Sequence, residues 1–200
     1  MTEKTLPTGF HFSQSSLQDY VDCPRRFELR YILRQAWPDV QAQPVLAHEL
    51  QMWRGTTFHR LAHRHAIGIP ADVLSAGIED EYLRRWWQAY QDSPPDLPQG
   101  IRLPEMILHT PVGRHGLLAK YDLIAADREQ VVIVDWKTDQ RRPASQTLAR
   151  RLQTRVYPFV IVEAGASLLG RDNLDPAGLV MIYWFAEFPH QIERFSYDAG

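Results

Sequence analysis

The chain changes its hydrophobic rhythm at its midpoint. Up to about residue 92 the apolar positions recur at helical spacing; after residue 101 they alternate or run on as strands do. Residues 1–12 read as a loosely ordered lead-in. Ser13 to Leu33 predicts a helix, capped by Ser13 or Ser15, with an apolar stripe of Leu17, Tyr20, Phe27, Tyr31 and Leu33 interrupted near Pro24. Residues 34–44 hold two prolines and read as a connection. A second helix is predicted from Leu46 to Ala66, offering Leu50, Trp53, Phe58 and Leu61 for packing, and it ends at Gly68-Ile69-Pro70. A third runs from Ala71 to Gln91 and carries the pair Trp86-Trp87.

The stretch Ser93-Pro94-Pro95-Asp96-Leu97-Pro98-Gln99-Gly100 is a break. Strands are predicted over 103–110, 116–126 and 130–137, with turns at Val112-Gly113-Arg114 and Asp127-Arg128-Glu129. Ser145 to Ala164 is helical in pattern, with Leu148, Leu152, Val156, Phe159 and Val160 roughly on one side. A loop over Gly165 to Pro176 leads to two more strands, 178–186 and 190–197, paired across Glu187-Phe188-Pro189. The order of helices, three strands, a helix and two strands implies one α/β (α+β) domain: a helical portion over 13–92 and a mixed sheet flanked by helices over 101–197. The end directly after a strand, at Ser196-Tyr197-Asp198-Ala199-Gly200, leads us to expect a missing C-terminal segment.

Composition narrows the function classes only a little. A content of 44% hydrophobic and 23% charged residues is that of a globular protein, and no apolar run approaches a membrane span. The polar start, Met1-Thr2-Glu3-Lys4-Thr5, has no apolar signal segment, and a single cysteine, Cys23, suits a reducing cytoplasm. A net charge of -2 does not announce a nucleic-acid binder. Any basic footprint must be local, at Arg25-Arg26, Arg141-Arg142 or Arg150-Arg151.

Chemistry gathers at the strand ends. The run Val131-Val132-Ile133-Val134 leads into Asp135-Trp136-Lys137, and the preceding strand carries Asp122. On a strand, Asp135 and Lys137 leave the same face. Two carboxylates and an ammonium at adjacent strand ends can hold a divalent cation and orient a water, which is what phosphodiester hydrolysis needs. Taken alone, Asp-x-Lys reads as a surface ion pair. His59, His63 and His65 open an unrelated alternative, a zinc hydrolase, but His65 lies off the face shared by the other two.

Asp122 followed by Asp135-Trp136-Lys137 resembles the PD-(D/E)xK nuclease superfamily. Three further segments resemble its RecB-like branch, which includes the nuclease domains of RecB and AddB and CRISPR adaptation exonucleases. They are Ser13-Gln14-Ser15-Ser16-Leu17-Gln18-Asp19-Tyr20-Val21-Asp22-Cys23-Pro24-Arg25-Arg26-Phe27 (S-x-S-x-L-x-x-Y-x-x-C-P-x-x-F), Gly55-Thr56-Thr57-Phe58-His59 (G-x-x-x-H) and Gln153-Thr154-Arg155-Val156-Tyr157 (Q-x-x-x-Y). The motifs occur in the branch's order over about residues 11–197.

The resemblance implies a restriction-endonuclease-like fold and a Mg²⁺ (or Mn²⁺)-dependent DNase, an exonuclease acting on single-stranded or free-ended DNA in repair or recombination. It implies His59, Asp122, Asp135 and the Trp136 carbonyl as metal ligands, and Lys137 as the catalytic lysine. Gln153 and Tyr157 would position DNA or the lysine, and Glu105 would be an outer-shell acid. A helicase or other repair protein is the implied partner. The alternative is an inactive nuclease-fold module that binds DNA or supports assembly. Two positions depart from the pattern: Ala119 stands where a glycine is common, and Leu123 where an arginine is. In AddB-like and CRISPR-type relatives the residue matching Cys23 is the first ligand of a [4Fe–4S] cluster. One thiolate cannot hold such a cluster. Cys23 is therefore expected to be a buried structural residue, unless a Cys-bearing C-terminal segment is missing.

Overall fold

The computed structural model describes residues 6–35 and 45–197; all but the first two residues of the connection expected over 34–44, and the outermost terminal residues, lie outside the described residues. A mixed six-stranded sheet separates two helical layers. The strands are β1 (His11–Ser13), β2 (Ile101–Val112), β3 (His115–Ala126), β4 (Val131–Lys137), β5 (Leu179–Phe185) and β6 (Glu193–Ser196). The helices are α1 (Gln14–Asp22), α2 (Pro24–Phe27), α3 (Val45–Ala66), α4 (Ala71–Ser75), α5 (Glu81–Asp92), α6 (Ser145–Arg150) and α7 (Leu152–Ala164). The expected α/β sheet flanked by helices is the observed one.

β2 runs antiparallel along the whole of β3, from Ile101↔Ala126 to Val112↔His115. The other edge of β3 is shared. β1 pairs with it in parallel at residues 116–118, and β4 antiparallel at residues 123–126. β4 continues in parallel into β5, and β5 pairs antiparallel with β6. β3 and β4 therefore fork just beyond Leu123↔Val134, where continued pairing would set Asp122 opposite Asp135. Like charges directly opposite one another disfavour pairing.

The strands bury both faces. On one side Tyr121, Ile124, Ile133 and Tyr183 pack with Leu148 of α6 and Val156, Tyr157 and Val160 of α7. On the other, Leu123, Val132, Val134 and Trp184 pack with Phe58 and Leu61 of α3 and Trp86, Trp87 and Tyr90 of α5. Phe58 stacks on Trp184 with ring centroids 5.6 Å apart. Each of the most deeply buried tryptophans finds an acceptor for its indole N–H: Trp86 on Glu187, Trp87 on Ser75 and Trp184 on the Ser93 carbonyl.

Several boundaries differ from expectation. The lead-in ends in a strand, β1, and Ser13 caps α1 through a reciprocal box with Ser16. Past Pro24 the chain makes one helical turn and then a π-helical turn over Glu28–Ile32. The single helix expected over Ala71–Gln91 is two, because Asp80 turns back to cap α5 through the Leu83 N–H. The helix expected over Ser145–Ala164 breaks at Arg151, whose backbone is extended. Leu50 and Trp53, expected to pack, are exposed on the first half of α3. Cys23, expected to be buried, is exposed at the α1–α2 junction, where its extended backbone turns it to solvent.

Candidate functional site

The site forms at the fork because β2 and β3 change step there. Tyr121 packs on the α7 side and Leu123 on the α3 side, yet Ile124 returns to the α7 side. Asp122 and Leu123 thus both face α3, where strict alternation allows only one of them. β2 slips in register with it: Leu103 and Met106 both pack on the α7 side, and Glu105 between them has a left-handed backbone, φ 54°. A non-glycine residue in that region is strained, and such strain persists where the surroundings impose it. Glu105 and Asp122 are the one opposed pair of the ladder that is not bridged. Both carboxylates are thereby free to meet His59 from α3.

Ligand atoms of His59, Glu105 and Asp122 all lie within 4.8 Å of one another. His59 Nδ1 is 3.2 Å from Asp122 Oδ1. The other Asp122 oxygen accepts the Trp136 backbone N–H at 2.9 Å, an amide that the fork leaves without a β3 carbonyl. Burial disfavours the charged His59 ring, but the hydrogen bond and charge of Asp122 outweigh it and raise its pKa. Sequence reasoning placed Glu105 in an outer position; the geometry puts it among the three converging groups. No pattern around Pro104-Glu105 signals the left-handed turn.

Asp135 and Lys137 leave the same face of β4, as expected, and turn to the α7 side. The Lys137 ammonium lies 2.5 Å from Asp135 Oδ2 and 3.1 Å from the Gln153 carbonyl oxygen, over the Tyr183 ring. The Gln153 amide donates to Asp135 Oδ1. Gln153 therefore bridges both residues, with its oxygen on the cation and its nitrogen on the carboxylate. Burial pushes the Asp135 carboxyl above its ordinary range, against the pull of Lys137. Asp135 Oδ2 is buried and makes no hydrogen bond of good geometry. Tyr157 lies one turn beyond Gln153; burial, then the two aspartates, push its phenol pKa upward. Its backbone carbonyl accepts the Tyr121 hydroxyl.

α3 reaches the fork because Gly55 lets it press on the segment after β4. A Cβ at Gly55 would meet Thr138 Oγ1 at 2.9 Å, and Gln51 of the same helix donates to the Thr138 carbonyl at 2.8 Å. His59 sits one turn further along α3. His63 lines the same cleft, whereas His65 turns away and bonds Tyr90. The three histidines do not converge.

A cleft of about 1290 Å³ opens over Glu105, Asp122 and His59, between α3 and the segment after β4. Arg60, Lys120, Arg141 and Arg151 line it against Glu105, Asp122 and Asp139, so a chain of net negative charge keeps a cationic margin here. The donor set of one imidazole and two carboxylates fits a divalent cation that prefers oxygen and nitrogen ligands. Among the described residues no helix is long and apolar enough to cross a membrane.

No curated protein matches the sequence. Among solved structures, the chain is similar to one described as the crystal structure of SSO0001. The two share 13% identity over 98% of this chain and 70% of that one, with a TM-score of 0.39. The profile of the PD-(D/E)XK nuclease superfamily matches residues 11–198, from the first strand to beyond the last. On that match the chain belongs to the PD-(D/E)XK nuclease superfamily, whose members are metal-dependent nucleases.

Proposed function

We propose that this chain is a divalent-metal-dependent deoxyribonuclease of the RecB-like branch, cleaving DNA from single-stranded or free ends in repair or recombination. The observation that carries the reading is the convergence of His59, Glu105 and Asp122 at a strand fork, beside a buried Asp135–Lys137 pair. The segment over residues 13–27 also touches the site's support: Gln18 of α1, at an unspecified position of the signature, accepts the Leu152 N–H that opens α7, and α7 carries Gln153. α1 thus braces the helix whose Gln153 holds the lysine.

In this reading His59, Glu105 and Asp122, with Asp135 and the Trp136 carbonyl, hold Mg²⁺ or Mn²⁺. The bound cation supplies Lewis-acid charge for the phosphate and acidifies a water. Lys137, fixed by Asp135 and Gln153, orients the attacking water and offsets charge developing on the phosphate. Arg60, Arg141 and Arg151 hold the flanking phosphates along the cleft.

The test is cleavage of end-labelled single-stranded DNA with Mg²⁺ or Mn²⁺ by the wild type, Asp135→Asn and Lys137→Ala. Loss of about 10³-fold or more is expected for each variant, the scale found when charge-stabilising and proton-transfer groups are removed. Equal cleavage by all three would reject these roles. Binding without cleavage under any metal would favour an inactive DNA-binding module.

A further inference from the structure

We propose that Lys120 is a two-position cation of this site: it holds Glu105 while no metal is bound, and turns to the phosphodiester once a divalent cation claims that carboxylate. The inference rests on the metal-site reading above and adds a second lysine with a different task from Lys137.

The two lysines are held differently. Lys137 is 17% exposed and fixed between Asp135 and Gln153. Lys120 is 57% exposed, lies in the cleft wall and has Glu105 as its ion-pair partner, 2.5 Å from Oε2. It stands two residues before Asp122 on β3, on the same side of the strand, so its ammonium sits beside the converging ligands. Glu105 is thus shared between a cation that is part of the chain and a position a metal would occupy.

A divalent ion and an ammonium on one carboxylate repel each other. The ammonium is the movable member, because it rides on four methylenes in an open cleft and is readily rehydrated. The anion that enters this cleft in catalysis is the phosphodiester, and it is the partner that best compensates Lys120 for the loss of Glu105. In the metal-free protein the same pair keeps the Glu105 and Asp122 carboxylates from facing each other uncompensated.

This arrangement predicts effects of opposite sign from one substitution. Lys120→Met keeps the apolar stem and removes the charge that competes with the metal. Titration with Mn²⁺ alone should show binding tighter on the order of tenfold, the size of the repulsion between a unit charge and a divalent ion a few ångströms apart in a water-like dielectric. With saturating Mn²⁺, the KM for single-stranded DNA should rise several-fold while kcat falls less. Lys120→Arg, which keeps the charge, should bind Mn²⁺ as the wild type does. Unchanged or weaker Mn²⁺ binding by Lys120→Met would overturn the proposal, weaker binding marking Lys120 as a fixed brace for Glu105. A wild type that binds no Mn²⁺ would remove the metal-site reading itself, and this inference with it.

Discussion

Gly55 can be tested as a spacer that sets the position of His59. In Gly55→Ala the new Cβ meets Thr138 Oγ1 at 2.9 Å, well inside ordinary contact. Thr138 yields poorly: its side chain is β-branched, and its carbonyl is held by Gln51. Restoring an ordinary separation moves the two segments apart by about half an ångström. Overpacking of this kind costs about 1–3 kcal/mol, while alanine in place of a helical glycine returns about 1 kcal/mol. The net loss of stability is therefore small, about 0–2 kcal/mol. Activity responds more steeply, since a 1 Å misplacement of reacting groups costs roughly 10²-fold and half that displacement costs about tenfold. Thermal unfolding and Mn²⁺ titration should be run beside cleavage. The expected result is a near-native Tm with cleavage down about tenfold and weaker Mn²⁺ binding. In Gly55→Ala/Thr138→Ala the hydroxyl is gone and the nearest remaining atom, the residue 138 Cβ, lies at 3.9 Å, so activity should return. A fully active single variant, or a double variant as impaired as the single one, would refute the reasoning.

Asp80 caps α5 and accepts a forked ion pair from Arg54, so Asp80→Ala should lose about 2 kcal/mol in denaturant unfolding at neutral pH. The Arg54 hydrogen bonds hold the Asp80 carboxyl below its ordinary 3.8. Its contribution is therefore whole above that value and fades as pH falls through the lower folded value, and the gap between wild type and variant should close in acid. Phe58→Ala removes a fully buried ring stacked on Trp184 and should cost about 3–5 kcal/mol, read as a Tm lower by roughly 10 °C.

The parts of this fold that sequence reasoning reached are those written in repeated patterns. Apolar runs located β2 to β6, and the alternation along β4 set Asp135 and Lys137 on one face, where they form an ion pair. Gly55 and His59 were visible as spacing, and the structure adds why the glycine is there. Features made by single residues were hidden. β1 is three residues long and pairs with a partner about a hundred residues away. The breaks at Asp80 and Arg151 are one-residue changes of backbone direction inside otherwise helical patterns. The step change at the fork has a faint trace in Tyr121-Asp122-Leu123-Ile124, where a polar residue interrupts an apolar run without strict alternation. Glu105 left none, because a left-handed glutamate is imposed by its neighbours rather than by its own preference.

The bond from the Trp136 amide to Asp122 bears on how a dead enzyme should be made. Asp122→Ala would strip a charge from the site and also leave a main-chain donor stranded where two strands separate, so a lost signal could report damage to the scaffold. Asp122→Asn can keep an oxygen toward that amide while removing the negative charge. The asparagine is accordingly the substitution whose silence speaks about chemistry alone.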